Sequence, residues 1–309
     1  MQIGMVGLGR MGRNMAIRLL KDGHDVVVFN RTKEKVLQMQ KEGATGADCL
    51  DDMVKKLEPP RVVWVMLPAG DPVREHVKKL SELLSDGDIL IDGGNSYYGD
   101  DIVHRDLLGR RGLHYIDAGV SGGIWGLENG YCLMIGGEKK IFEYIEPILK
   151  SLSVKDGYMY CGDSGAGHFV KMVHNGIEYG MMEAYGEGFE IIRSSPYSDG
   201  ISFEMLSRLW NRGSVVRSWL LELLEDAFRK DPELTAIKGY VEDSGEGRWT
   251  VQQAIETGTP VPVIAMSLFR RFESRIGDSF SNRVLAALRN EFGGHRVVST
   301  QGKEGHEKK

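Results

Sequence analysis

The sequence predicts an α/β domain with a mostly parallel, doubly wound sheet, followed by an all-α domain. From residue 2 to about residue 163, short apolar runs alternate with amphipathic segments, a pattern typical of a sheet covered by helices on both faces. A glycine-rich turn joins the first apolar run to the first amphipathic segment. After Cys161, strand-like runs are almost absent. We therefore expect domains at 1–163 and 164–298, and a polar, disordered tail at 299–309.

The individual elements follow from the period of the apolar residues. The expected strands are 2–6, 25–30, 61–67, 88–92, 114–118 and 131–135. The expected helices between them are 11–22, 33–42, 73–84, 102–111 and 141–151. In the second domain we expect a long helix over 165–192 and shorter helices near 203–211, 215–229, 250–256, 261–275 and 279–290.

The composition is that of a globular enzyme, with 309 residues, 41% of them hydrophobic and 27% charged. A net charge of −5 argues against nucleic acid or an anionic membrane as a partner. No apolar run reaches the roughly 18 residues of a membrane span, and the N-terminus does not have the pattern of a signal peptide. Cys49, Cys132 and Cys161 are far apart and form no metal-binding motif. We expect a cytoplasmic protein with reduced thiols.

The glycine-rich turn has the form GxGxxG, as Gly7-Leu8-Gly9-Arg10-Met11-Gly12. It directly follows a predicted strand and opens a predicted helix, the context in which this motif binds a dinucleotide. Gly7 permits the tight turn, Gly9 admits the pyrophosphate, and Gly12 allows close packing of helix on strand. The phosphates are expected at the helix N-terminus. The N-terminal domain is therefore predicted to be a Rossmann-type NAD(P)-binding domain.

The end of the second strand indicates which cofactor is preferred. NAD sites usually carry Asp or Glu there, but this chain has Asn30, followed by Arg31 and Thr32. Arg31 can pair with a 2′-phosphate, whereas Thr32 can either donate to it or cap the next helix. We therefore expect NADP, with NAD as the alternative. Further cofactor contacts are expected from three residues that follow the third predicted strand: Leu67, Pro68 and Ala69.

The long predicted helix carries four polar side chains, Lys171, His174, Asn175 and Glu178. At about 100° per residue they fall on one stripe of the helix. Lys171 and Glu178 are separated by two turns, about 10.5 Å along the axis, so they can flank a small substrate. The alternative is a solvated polar face.

These motifs together resemble the 6-phosphogluconate dehydrogenases, within the wider β-hydroxyacid dehydrogenase group. The resemblance extends to about residue 295 and is closest to the short form of the family. It is carried by GLGRMG (7–12), NRT (30–32), IDGGNS (91–96), DAGVSGG (117–123), GAGHFVKMVHNGIEYG (165–180), GEGRWT (245–250) and FGGH (292–295).

The resemblance implies oxidative decarboxylation of 6-phosphogluconate to ribulose 5-phosphate and CO₂ in the pentose phosphate pathway. Lys171 would act as general base and then acid, and Glu178 would protonate C1. His174 and Asn175 would bind the substrate hydroxyls and carboxylate. Asn95 would contact both the substrate and the nicotinamide. The substrate carboxylate would be bound by Ser121, Gly122 and Gly123. Tyr179 would contact the phosphate.

A sugar phosphate also requires cations, since guanidinium groups pair well with phosphate. The candidates are Arg248 with Thr250, Arg271, Arg289 and His295, and the sequence leaves open whether Arg271 or its neighbour Arg270 faces the site. In long-form relatives the last two reach the partner subunit's site, so we expect a homodimer or homotetramer. No metal is expected, because an ammonium group can polarise the carbonyl and the sequence shows no carboxylate cluster for Mg²⁺.

Two other functions remain open from the sequence. One is a β-hydroxyacid dehydrogenase for an unphosphorylated acid such as 3-hydroxyisobutyrate, which would share Lys171 but not require Glu178 or several arginines. The other is a non-catalytic NADP-sensing protein, which would require neither Lys171 nor Glu178.

Overall fold

A computed structural model describes residues 1–294 and 296–298. The chain forms two compact units: the first combines Met1–Tyr179 with Gly245–Val261, and the second combines Gly180–Ser244 with the chain from Pro262 onward. The boundary expected near residue 163 follows the change from sheet to helices, whereas the compact units divide at Tyr179, inside the long helix. The tail at 299–309 lies outside the described residues. Among the described residues, no helix is long and apolar enough to span a membrane.

The first unit contains one sheet of eight strands in the order β3-β2-β1-β4-β5-β6-β7-β8. All neighbours are parallel except β6 and β7, which confirms the predicted mostly parallel sheet. The strands are β1 Gln2–Val6, β2 Asp25–Phe29, β3 Thr45–Gly46, β4 Val62–Val65, β5 Ile89–Asp92, β6 His114–Ser121, β7 Tyr131–Gly137 and β8 Ser153–Gly162.

Two of these strands were not predicted from the sequence. β3 has only two residues, and β8 is an edge strand in which only Ser153 and Gly157 are buried. The segment of β8 also contains Asp156 at φ 58° followed by a glycine, a combination typical of a turn. An exposed edge strand therefore lacks the apolar run by which strands are recognised.

The helices of the first unit cover both faces of the sheet. They are α1 Arg10–Lys21, α2 Lys33–Lys41, α3 Leu50–Lys55, α4 Asp71–Leu83, α5 Tyr98–Gly109, α6 Gly126–Asn129, α7 Lys139–Leu152, the first half of α8 Ala166–Arg193, and α11 Glu246–Thr257. One buried apolar cluster includes Ile3 and Ile145, and the other includes Val63 and Val77. Two separate cores are what a doubly wound sheet requires.

The second unit is helical in all its described residues apart from its connections. After the end of α8 it contains α9 Phe203–Trp210, α10 Trp219–Lys230, α12 Pro262–Glu273 and α13 Phe280–Gly293. Its buried core is small and centres on Phe189, Leu221 and Phe228. A cavity of about 450 Å³ lies beside this core. None of the residues that line the cavity was predicted as a site residue.

Candidate active site

The first glycine turn has the geometry of a phosphate cradle. Gly7 has a φ of +95°, and a Cβ there would lie 2.4 Å from the carbonyl oxygen of Met66. A Cβ on Gly12 would lie 2.0 Å from the carbonyl oxygen of Gly7. Gly9, by contrast, is the N-cap residue of α1, and a Cβ there would meet no atom within 4 Å. Packing therefore requires two of the glycines, and the third leaves room for a pyrophosphate at the helix N-terminus.

Asn30 braces this turn from the end of β2. Its Oδ1 accepts from the backbone N–H of Leu8 at 2.9 Å, and its Nδ2 donates to the carbonyl of Thr32 at 3.2 Å. Thr32 occupies the N-cap position of α2, but its side chain makes no capping hydrogen bond. Arg31 is exposed. The side chains of Arg31 and Thr32 are therefore both accessible to the ribose end of a dinucleotide.

The other predicted cofactor residues follow β4 and β5 at the same edge of the sheet, where doubly wound folds bind ligands. The two segments touch, since a Cβ on Gly94 would lie 2.7 Å from the carbonyl oxygen of Leu67. Pro68, Ala69 and Asn95 are exposed at this edge. The Asn95 loop is held from below by a buried aspartate at the end of β5.

That aspartate, Asp92, accepts from the N–H of Gly94 at 2.9 Å and from the hydroxyl of Ser96 at 2.6 Å. It is completely buried, so its charge is compensated by these donors rather than by water. The two bonds bracket Asn95 in the chain. The exposed amide is therefore presented on a fixed loop.

On α8, three of the predicted catalytic side chains meet at a single amide oxygen. The Nζ of Lys171 donates to Oδ1 of Asn175 at 2.8 Å, and Nδ1 of His174 lies 3.0 Å from the same oxygen. Lys171 lies directly over β6. A Cβ on Gly119 of this strand would lie only 2.4 Å from the Cβ of Lys171. The glycine therefore allows the lysine to pack against the sheet.

Lys171 is only 7% exposed. Burial lowers the pKa of its ammonium group, because the charged form is poorly solvated, while negative charge on the nearby Glu178 and Glu246 carboxylates opposes that shift. The net direction is towards the neutral amine. A neutral lysine at working pH is what a general base requires.

The glycine turn after β6 lies beside this cluster. The Oγ of Ser121 is 3.4 Å from Nε2 of His174, and Gly122 and Gly123 have φ angles of +130° and +55°. Ser121 is the last residue of the strand, which is three residues longer than predicted. The predicted carboxylate-binding turn and the predicted catalytic helix are thus in contact.

The helix α11 begins earlier than the sequence indicated, at Glu246 rather than near residue 250. Gly245 precedes it with a φ of +106°, and the N–H of Trp249 donates to the carbonyl of Gly245 at 3.0 Å. The GEGRWT motif therefore forms the first turn of a helix and not a loop.

This first turn packs on α8. A Cβ on Gly247 would lie 2.4 Å from the ring of Tyr179, and the hydroxyl of Thr250 donates to the carbonyl of Met172 at 2.9 Å. Tyr179 and Thr250 are buried, whereas Arg248 is exposed. The structure therefore brings these three predicted phosphate-end residues together in the first unit, and shows the Thr250 hydroxyl bound to the backbone of α8.

The remaining predicted cations belong to the second unit. Arg271 donates to the carbonyl of Glu242 at 3.0 Å, while its neighbour Arg270 forms ion pairs with Glu183 and Glu273. Arg289 is exposed on α13. The predicted site residue His295 lies outside the described residues.

Sequence reasoning missed a buried polar cluster beneath α8. Asp117 accepts from the N–H groups of Gly165 and His168 at 2.7 and 3.0 Å, and thereby caps the start of the helix. The ring of His168 forms a buried ion pair with Asp101 at 2.8 Å. Because its members come from β5, α5, β6 and α8, the carboxylate cluster that we did not find along the sequence is formed by the fold.

Two family models match this chain, one over its first half and one over most of its second half. The NAD-binding domain of 6-phosphogluconate dehydrogenase matches residues 2–162, and the C-terminal domain of that family matches residues 167–290. The decarboxylating, NAD(+)-dependent 6-phosphogluconate dehydrogenase of Haloferax volcanii is 42% identical over 300 residues, covering 96% of this chain and 99% of the relative.

Longer relatives match as well. The NADP(+)-dependent enzyme of Bacillus subtilis is 38% identical over 290 residues, covering 88% of this chain and 61% of the relative. The solved structure of the Plasmodium falciparum 6-phosphogluconate dehydrogenase superposes with a TM-score of 0.80 at 28% identity, covering 98% of this chain and 67% of that chain. The predicted resemblance is confirmed, and this chain belongs to the 6-phosphogluconate dehydrogenase family.

Proposed function

We propose that this protein oxidises and decarboxylates 6-phosphogluconate to ribulose 5-phosphate and CO₂, with NADP as the preferred cofactor. The observation that carries this proposal is the buried Lys171, whose pKa is lowered by burial and which lies among Asn175, Glu178 and the Ser121 turn. The names of the relatives support the substrate and the decarboxylation. The NAD(P)-binding turn supports a redox reaction.

In the first step, neutral Lys171 accepts the proton of the substrate 3-hydroxyl. The bound nicotinamide supplies the hydride acceptor for C3. Protonated Lys171 then donates a hydrogen bond to the new ketone, which stabilises the enolate that forms when C1 leaves as CO₂. Lys171 then gives its proton to the enolate oxygen, which forms the enediol whose C1 is the former C2 of the substrate. Protonated Glu178 delivers a proton to that carbon while Lys171 takes back the enol proton. A transfer of one proton from Lys171 to Glu178 restores both groups, so the proton taken from the hydroxyl is balanced by the one placed on C1.

We assign the substrate carboxylate to Ser121 and the N–H groups of Gly122 and Gly123, with Asn95 at the same sheet edge. Phosphate binding is assigned to Arg248 near Tyr179, with Thr250 holding α11 on α8. Arg271, Arg289 and His295 complete the proposal as further phosphate ligands. The last two would act from a second copy of the chain.

The substrate assay tests this function directly. Initial rates with 6-phosphogluconate should be accompanied by one CO₂ released for each cofactor reduced. The unphosphorylated acid 3-hydroxyisobutyrate should give little turnover. Oxidation of 3-hydroxyisobutyrate without CO₂ release would instead identify the other branch of the β-hydroxyacid dehydrogenases.

Replacement of Lys171 separates catalysis from cofactor binding. Lys171→Ala should lower kcat about 10²- to 10⁴-fold, the usual contribution of a general acid–base group. NADP affinity, measured by fluorescence titration, should be almost unchanged because the glycine turn is intact. Undiminished turnover in this variant would refute the assigned mechanism.

A further inference from the structure

Glu246 is a buried carboxylate to which the mechanism above gives no role. It is 2% exposed and is the first residue of α11. A helix N-terminus stabilises negative charge, but burial of a carboxylate is costly and is retained where the charge is compensated. A compensating positive group is therefore expected close to Glu246.

The packing of α11 places Glu246 beside α8. Gly247 packs against the ring of Tyr179, and a Cβ on Gly176 would lie 2.7 Å from Cγ2 of Thr250. These contacts fix both ends of the first turn of α11 on the stretch of α8 that carries the catalytic stripe. Glu246, at the start of that turn, is therefore held against the same stretch.

Lys171 is the cation in that stretch, and several groups act on it. Its electrostatic neighbours are Glu178 on α8, Glu246 on α11 and Cys132 on β7. His174 shares its hydrogen-bond acceptor, and β6 contributes the uncharged Gly119 and Ser121. Of the two carboxylates, only Glu178 is used as a proton donor in the proposed reaction. Glu246 has no proton-transfer step in that reaction.

We propose that Glu246 is a positioning residue that balances the protonation of Lys171, so that the lysine can be both base and acid in one turnover. This inference rests on the proposed function. Burial alone favours the neutral amine, which suits proton abstraction but not polarisation of the ketone. The buried carboxylate of Glu246 stabilises the ammonium form by attraction across a poorly solvated space. Both protonation states then remain accessible near the working pH.

The test is the pH dependence of Glu246→Gln. Removal of the negative charge lowers the pKa of Lys171, so the acid limb of kcat/KM should move to lower pH by about one unit, the lower end of the effect of a nearby opposite charge. The alkaline limb of kcat should move in the same direction, because the ammonium form is lost earlier. Glu246→Asp, which keeps the charge, should restore most of the wild-type profile.

A matched control is available on the same helix. Glu256 is exposed near the end of α11, so Glu256→Gln should leave both limbs in place. As a readout independent of turnover, Lys171 can be labelled by reductive methylation with ¹³C and titrated by NMR, with Lys171→Ala identifying its signal. The Lys171 titration should shift down in Glu246→Gln and stay unchanged in Glu256→Gln.

The outcomes distinguish the two proposals. If the wild-type protein releases no CO₂ from 6-phosphogluconate, the proposed function is wrong, whereas the NMR titration still tests the coupling of Glu246 to Lys171. If wild-type turnover is as expected but neither the limbs nor the titration move in Glu246→Gln, the inference about Glu246 is overturned. Should Glu246→Gln not fold, Glu246→Asp should show a smaller shift in the same direction, and the absence of any shift would count against the inference.

Discussion

At Lys171, burial and neighbouring charge act in opposite directions on one amine. The sequence could place the lysine on a polar stripe of a helix, but not predict that the side chain is 7% exposed over Gly119. That contact depends on β6, which is far from Lys171 in the chain. The direction of the pKa shift is therefore a property of the tertiary structure, whereas the choice of residue is a property of the sequence.

Cofactor choice is also decided by single residues. Asn30 is occupied in bracing the glycine turn, which leaves Arg31 as the exposed cation at the end of β2. Arg31→Glu should lower kcat/KM for NADP by at least about tenfold, because a charge-assisted bond to phosphate contributes about 1.5–3 kcal/mol. Steady-state rates with both cofactors measure the change. The control Lys41→Glu, at the exposed end of α2, should leave the ratio of NADP to NAD unchanged.

At the scale of elements, α8 is fixed at its start and along one face. Asp117 caps its first turn, the Asp101–His168 pair anchors it from below, and the first turn of α11 packs on its middle. These three attachments come from β6, α5 and α11. They explain how one long helix can hold four functional side chains at fixed positions.

The glycines of α8 provide a paired test of this packing. Gly176 faces Thr250, so the Cβ of Gly176→Ala would meet Cγ2 at 2.7 Å and should force α11 away. We expect a loss of about 1–3 kcal/mol in the free energy of unfolding and a higher KM for 6-phosphogluconate. Gly186→Ala meets no atom within 4 Å and should stabilise the helix by up to about 1 kcal/mol. Denaturant titration of both variants measures these opposite signs.

The buried pair beneath α8 predicts both a mutational and a pH effect. Asp101→Asn removes the carboxylate that forms the ion pair with the imidazolium of His168 and should cost about 3–5 kcal/mol of unfolding free energy. The neighbouring Asp100→Asn disrupts only a partly exposed ion pair with Arg74 and should cost at most about 1 kcal/mol. Because burial raises the pKa of Asp101 to about 6 and the pKa of His168 is about 10, urea unfolding near pH 8 compares the two variants with the pair charged, and equal losses would contradict the anchoring role.

Burial opposes the charged form of His168, but Asp101 and the nearby Asp92 and Asp117 outweigh it and raise its pKa to about 10. A pKa that is higher in the folded state than in the unfolded state stabilises the fold. This stabilisation is fully present at pH values below the pKa of histidine in the unfolded chain, about 6.5. That contribution is lost as the pH rises towards 10. The free energy of unfolding of the wild-type protein should therefore decrease over this window, and the decrease should be smaller in Asp101→Asn.

At the scale of the whole molecule, the second unit exposes much apolar surface for its size. The helix α13 has no buried residue. Its apolar side chains Phe280, Leu288 and Phe292 are 73%, 59% and 95% exposed. Exposed apolar stripes of this kind mark association surfaces. Since Arg289 lies on the same helix, we propose that a second copy of the chain covers this stripe and receives Arg289 at its site.

Light scattering on gel-filtration fractions tests that assembly. Leu288→Glu should shift the protein towards monomer and raise KM for 6-phosphogluconate, because the phosphate ligand from the second copy is lost. The control Lys230→Glu, at the end of α10, should keep the wild-type mass. A wild-type protein that is monomeric and fully active would contradict the shared site.

By itself, the sequence determined the alternation of strands and helices, the glycine turn, and the helical spacing of Lys171, His174, Asn175 and Glu178. These features are local, since each depends on residues within about two helical turns or one strand. The tertiary structure decided the edge strand β8, the start of α11, the buried cluster around His168 and the burial of Glu246. Each of these arises from contacts between residues distant in the chain, and burial, which sets the cost of a charge, exists only once those contacts have formed.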